Sequence, residues 1–348
     1  MNSFFIEYRD PLFSIIIFFV IIFMIAFFSY WWNKYRFSRD TECLTNFLNQ
    51  FSTSPSQSEL HTLTSSGELS EGSWLLLANF YYKNGDYEKS IEIYNELLKI
   101  CTYKNRLDIM NLLGTTYFKA GFLERSKQIF LEILKTMPRN QEVLNYLLLV
   151  YEYMRDYESA LEVLEPLEEL GSDVTLDRAY LEILALLCEP KYSIQEKTTF
   201  LLASYKKHHQ LSYMIFEYLF RVNPVLAWEH LDSSKSELLS DIFWRIDEKD
   251  LNLDIISKNG YLRELFSARG DIDLAKGSSL FELDVLIKLQ NKANATLNFE
   301  YICENCKRRY PFAFNRCASC HKLDTNRVEW SLAKNYHKNI GEEHNSFQ

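Results

Sequence analysis

The chain has 348 residues, of which only 10 are Gly and 7 are Pro, well below average usage. Turn-rich β-folds and glycine-cradled phosphate sites are therefore poorly served, and neither G-x-G-x-x-G nor G-x-x-x-x-G-K-[ST] occurs. A net charge of −9 argues against a general nucleic-acid binder, and 47% apolar residues suffice for a core. The last 50 residues, from Phe299, are slightly basic, so the acidity belongs to everything before them.

In chain order, Leu12 to Trp32 is a 21-residue run without formal charge. At about 1.5 Å per helical residue it is as long as a bilayer core is thick. The flanks fit neither a buried core helix nor a cleaved signal peptide, so the expectation is a retained anchor over residues 1–33. Lys34, Arg36 and Arg39 follow the run, whereas Arg9 is the one basic residue before it. The positive-inside rule then predicts a single-pass inner-membrane protein with its bulk in the cytoplasm. Tyr30, Trp31, Trp32 and Tyr35 would sit at the interface. Residues 34–70 are expected to form a linker and a degenerate first helix pair, with Cys43, Leu44, Phe47, Leu48 and Phe51 on its apolar face.

From Trp74 the sequence is periodic. Leu77-Ala78, Tyr81, Gly85, Tyr87, Ser90 and Tyr94 are followed 36 residues on by Leu113-Gly114, Tyr117, Gly121, Leu123, Ser126 and Phe130. A further 34 residues on stand Leu147-Leu148, Tyr151, Arg155, Tyr157, Ala160 and Leu164. A period of about 34 with small residues, tyrosines and turn glycines in register resembles the tetratricopeptide repeat, antiparallel helix pairs stacked into an array. The clear units are 71–104, 107–140 and 141–172. Degenerate helix pairs are predicted to continue to residue 298, around Val174–Cys188, Phe200–Tyr205, Met214–Val222, Leu238–Ile246 and Leu280–Leu289. By register, Asn79, Tyr82, Asn111, Thr115, Phe118, Asn145 and Glu152 would line a peptide-binding groove, the competing reading being ordinary solvated residues.

Near the end, Cys303-x-x-Cys306 and Cys317-x-x-Cys320 supply four thiols in two knuckles, the strongest chemical signal in the chain. Seven cysteines, three of them scattered, do not make a disulfide framework. Four protein ligands leave no open coordination position, so the expected site is structural or redox-active, with one Zn²⁺ as first choice and iron as the alternative. His321 follows the fourth cysteine and reads as a surface residue. Tyr301, Tyr310, Phe312, Phe314 and Trp330 offer aromatic area to pack a module over 299–330, with a polar tail over 331–348. Lys307, Arg308, Arg309 and Arg316 would balance thiolate charge or form a basic contact face. The histidines are scattered and no catalytic constellation emerges, so the chain is expected not to be an enzyme.

The expected fold class is all-α: a tetratricopeptide-repeat solenoid with an N-terminal transmembrane helix and a small C-terminal rubredoxin-like zinc ribbon. The order of parts resembles the lipopolysaccharide assembly protein B family (LapB, also called YciM). The carrying residues are the run Leu12–Trp32, Leu77-Ala78-Asn79-Phe80 with Gly85, Leu113-Gly114-Thr115-Thr116-Tyr117 with Gly121, and Tyr301-x-Cys303-x-x-Cys306 with Cys317-x-x-Cys320. The family usually has Trp before the third cysteine and Pro after it, where this chain has Arg316 and Ala318. The resemblance implies an adaptor that promotes degradation of the lipid A deacetylase LpxC by the membrane protease FtsH and communicates with an inner-membrane lipopolysaccharide-sensing protein. A second copy of the chain is a further partner left open. Two other readings stand beside it: a generic membrane-tethered scaffold for envelope or secretion assembly, and an iron electron-transfer protein.

Overall fold

The computed structural model describes residues 18, 20–24, 27–28, 71–101, 103–273, 277–289 and 294–334. It divides into two compact units, Met1–Leu170 and Gly171–Gln348.

Among the described residues from Glu71 on, the first unit holds three helical hairpins: α1 (Glu71–Lys83) with α2 (Tyr87–Ile100), α3 (Tyr103–Lys119) with α4 (Leu123–Thr136), and α5 (Gln141–Met154) with α6 (Tyr157–Glu169). Each hairpin turns on one left-handed residue, Gly85 at φ 81°, Gly121 at φ 82° and Arg155 at φ 61°. The same two backbone bonds recur at each turn. The N–H groups of Asp86, Phe122 and Asp156 donate to the carbonyls of Tyr81, Tyr117 and Tyr151, and those of Gly85, Gly121 and Arg155 to Tyr82, Phe118 and Glu152. They satisfy carbonyls that a helix end would otherwise leave bare.

Inside each hairpin the helices meet at small residues. The buried Ser90 hydroxyl donates to the Ala78 carbonyl at 2.9 Å, and Ser126 repeats the contact on Gly114 at 2.8 Å. The third hairpin has Ala160 in that place, fully buried but without a hydroxyl. Trp74, Leu77, Tyr94, Leu97, Ile109, Leu113 and Tyr117 join one core that runs from the first hairpin into the second.

The second unit begins with longer helices, α7 (Thr175–Cys188), α8 (Ile194–Lys207) and α9 (Ser212–Val222). A reciprocal capping box of Ser193 and Glu196 starts α8. Beyond Asn223-Pro224 the regular pairs expected from the sequence give way to short pieces: α10 (Pro224–His230), α11 (Ser240–Arg245), α12 (Leu253–Lys258), α13 (Gly260–Arg269) and α14 (Phe281–Leu289), with 3₁₀ turns between. A buried aromatic cluster holds them. Trp228 stacks on Phe243 at 5.4 Å, and Phe220 meets Trp228 edge-on at 5.1 Å. Arg269 donates to the carbonyls of Phe243 and Ile246 at 3.0 and 2.6 Å, capping α11 with a cation at its negative end.

A three-stranded antiparallel sheet follows, β1 (Ala295–Cys303), β2 (Arg309–Tyr310) and β3 (Asn326–Lys334), in the order β2-β1-β3. The sheet starts before Phe299 and ends after Trp330, the limits expected from the cysteines and aromatics.

The single-pass inner-membrane location is corrected. Among the described residues no helix is long and apolar enough to cross a membrane. The longest, α3, has 17 residues and includes Arg106, Asp108 and Lys119. A span needs about 20 predominantly apolar residues. Of Leu12–Trp32 only residues 18, 20–24 and 27–28 are described, as helix with exposed side chains. Trp31, Trp32, Lys34, Arg36, Arg39, the helix pair over 34–70 and the tail beyond Lys334 lie outside the described residues.

Candidate metal centre and helical groove

Each cysteine pair occupies a tight turn of the same design. Lys307 N–H donates to the Cys303 carbonyl at 2.8 Å and Cys303 N–H to the Arg308 carbonyl at 2.9 Å; His321 to Cys317 and Cys317 to Lys322 repeat these bonds at 2.9 and 3.0 Å. The residue after each second cysteine, Lys307 or His321, is left-handed at φ 60°. Folding the chain back within five residues turns both sulfurs of a pair, and backbone N–H groups, toward one point.

The two knuckles converge. Cys303 Sγ lies 3.6 Å from Cys320 Sγ, and Cys306 Sγ lies 3.6 Å from Cys317 Sγ. All four sulfurs fall within 4.8 Å of one another. Four sulfurs at about 2.3 Å from a central tetrahedral ion would stand about 3.8 Å apart. The set is therefore able to hold one metal ion. Cys303 and Cys317 are fully buried. Burial alone would raise the Cys303 thiol, but donors from the Cys306 N–H and the Thr325 hydroxyl outweigh it and bring it down to about 6. Cys317 is likewise lowered against its burial, by the Cys320 N–H and by the Tyr310 hydroxyl at 3.3 Å. The Arg308 N–H favours thiolate at Cys306, yet burial and the neighbouring sulfurs push that thiol up to about 11. Two thiolates are stabilised and a third is resisted by crowding, a conflict that a central cation removes.

The module is fastened to the helices of its own unit by groups the sequence reading did not single out. Asp241 on α11 is wholly buried. It accepts hydrogen bonds from the Tyr213 hydroxyl at 2.8 Å and from the Tyr301 hydroxyl at 2.6 Å, while Arg245 donates to the Tyr301 oxygen at 3.0 Å. Trp244 donates to Thr296 at 3.3 Å. On the other knuckle, Arg316 pairs with Asp177 at 2.7 Å, donates to the His321 carbonyl at 3.0 Å and lies over the Tyr180 ring. Arg316 is thus a buried fastening, not part of a basic face, and Arg309 pairs with Glu300 at 3.0 Å. Tyr301 is buried and Trp330 is half-buried beside the Tyr261 ring, but Phe312 is 78% exposed. His321 stands outside the sulfur cluster. The one sequence signal for Asp241 was a lone acid inside the apolar stretch Leu238–Ile246.

In the first unit, Asn79 and Asn145 are exposed, and Tyr82, Asn111 and Glu152 are half-buried. Thr115 and Phe118 are buried. The Thr115 hydroxyl bonds back to the Leu112 carbonyl of its own helix at 2.9 Å, and Phe118 packs edge-on against Tyr146 and Tyr153 at 6.0 and 5.4 Å. The expected groove residues therefore separate into an outward set and a packed set. Tyr153, 50% exposed, joins the outward set, which register alone did not assign. Asn111 keeps a buried Oδ1 without a hydrogen-bond partner.

Residues 72–102 match the model of the tetratricopeptide repeat. Among solved structures the chain is similar to a tetratricopeptide repeat protein from Parabacteroides merdae ATCC 43184, at 13% identity and a TM-score of 0.39, covering 72% of this chain and 97% of that one. It is also similar to yeast Tom70, at 13% identity and a TM-score of 0.31, covering 66% of this chain and 47% of that one. No curated protein matches the chain. The resemblance to the lipopolysaccharide assembly protein B family rests on the sequence motifs.

Proposed function

We propose that this protein is a non-enzymatic adaptor that holds a client polypeptide on its tetratricopeptide helices, with a zinc-bound Cys₄ module bracing the second unit. The observation that carries it is the hairpin turn repeated bond for bond at Gly85, Gly121 and Arg155. Such arrays expose one helix per hairpin for binding, and Asn79, Asn145 and Tyr153 lie on those helices with exposed side chains. Support for zinc as a structural ion is the complete set of four sulfurs, two of them sealed from solvent. When bound, the ion would supply folding free energy to the module and no open coordination position.

In finer terms, the resemblance makes LpxC the client and FtsH the protease to which it is delivered. The reading predicts that the purified chain shortens the half-life of LpxC in the presence of FtsH. An Asn79→Arg/Asn145→Arg protein should fold normally and lose that effect, because both positions are exposed. An unchanged LpxC half-life with the native chain would remove the finer reading. Loss of all polypeptide binding by a folded chain would remove the coarser one.

A further inference from the structure

Within the second unit, an open groove of about 960 Å³ runs along α8 and is walled on its other side by Asn223 and α10. It extends from Ile194 to Lys207, the whole length of the helix. At about 1.5 Å per residue that is roughly 20 Å, a length suited to a stretch of polypeptide laid along it. The floor is apolar. Leu202 and Leu226 are half-buried there, and Ile194 is 61% exposed. The Thr198 and Thr199 hydroxyls donate back to the Ile194 and Gln195 carbonyls at 2.7 and 2.9 Å, so these donors are already used.

The charge in the groove is of one sign. Lys206 and Lys207 end α8, His230 ends α10, and the lining holds no carboxylate, although the chain as a whole carries a net −9. Both lysines are exposed and enter no ion pair among the described residues. The nearby acids are used elsewhere. Glu196 closes the capping box with Ser193, and Asp232 accepts from the Ser234 N–H at 2.9 Å. Glu229 is not part of the lining. An apolar floor ending in unpaired cations is complementary to a segment that is apolar along one face and acidic at one end.

We propose that this groove docks such an amphipathic segment of a partner polypeptide, with apolar side chains on Ile194, Leu202 and Leu226 and carboxylates at Lys206, Lys207 and His230. A fatty acid would match the charge. It would, however, cover the amide N–H donors of Gln195 and Asn223 without giving them acceptors, which the carbonyls of a polypeptide provide. The groove uses neither Asn79 nor Asn145, so its failure would leave the adaptor reading intact.

The test titrates the full chain into a fluorescein-labelled helical peptide of about twelve residues, with leucines on one face and glutamates in its last turn, and follows anisotropy. Saturable binding is expected, weakened by salt, and about tenfold weaker when glutamine replaces the glutamates. Lys206→Gln/Lys207→Gln should weaken binding to a similar degree. Ile194→Ser should weaken it without changing its salt dependence. All these positions are exposed, and circular dichroism checks that each variant is folded. No binding by the native chain, equal binding of the glutamine peptide, or full affinity in the folded double variant would overturn the proposal. So would palmitate binding that Lys206→Gln/Lys207→Gln abolishes while the peptide fails to compete, or a dimer of the chain that the same variant dissociates.

Discussion

The Tyr301 hydroxyl donates a 2.6 Å hydrogen bond to Asp241, which lies 60 positions earlier in the chain. Tyr301 is two residues from the metal-ligand candidate Cys303 on β1, and Asp241 sits on a helix whose end is capped by Arg269. One phenol therefore links the sheet that carries the knuckles to the helices beneath it. Tyr301→Phe keeps the ring and deletes the donor to a buried carboxylate, which should cost about 1.5–3 kcal/mol. Urea unfolding would show it as a lower midpoint with an unchanged slope. Pairing it with Tyr213→Phe should give a non-additive loss, because both phenols share one oxygen.

The same phenols predict an alkaline weakness. Burial, then the hydrogen bond to Asp241, pushes Tyr301 up to about 12, and burial with the Asp241 charge raises Tyr213 further. An unfolded tyrosine ionises near about 10. The folded state thus holds protons that the unfolded state has released, so stability is intact below about pH 10 and falls as pH rises toward 12. Unfolding midpoints measured across that window should fall with pH, and less steeply in Tyr301→Phe. A parallel decline in both proteins would contradict this.

Gly114 is a packing constraint. A Cβ there would stand 2.6 Å from Cε1 of Phe130, which is fully buried. Gly114→Ala should overpack the hairpin at a cost of about 1–3 kcal/mol, only partly offset by about 1 kcal/mol of helix propensity. Thermal unfolding would report a lower Tm, and Phe130→Leu in the same chain should restore part of it.

Arg155 occupies the turn position that Gly85 and Gly121 fill elsewhere. A non-glycine residue pays roughly 1 kcal/mol for that conformation. Arg155→Gly should accordingly stabilise the first unit by up to about 1 kcal/mol in denaturant unfolding. A loss of stability would mean that the arginine side chain contributes more than its backbone costs.

If the four sulfurs hold one ion, metal analysis should find one equivalent in the native chain and none in Cys303→Ser/Cys306→Ser. Cys188→Ser, exposed and outside the cluster, should keep it. A colourless protein containing zinc supports the structural role; a red, reducible one containing iron would replace zinc in the reading.

The sequence by itself determined the features that local spacing encodes. A helical hairpin repeats its own contacts every 34 to 36 residues, so Ala78 and Ser90 announce Gly114 and Ser126. A metal knuckle is written in two cysteines three residues apart. Register also named the helices that carry Asn79 and Asn145. Only the tertiary structure decided that Phe118 packs against Tyr146 and Tyr153, that the helices shorten after Pro224, and that Asp241 gathers Tyr213, Tyr301 and Arg245. The physical reason is range. Periodicity and ligand spacing act within one turn or one hairpin, whereas a buried carboxylate is tolerable only because donors from α9 and β1 arrive from distant parts of the chain, which no window of sequence contains.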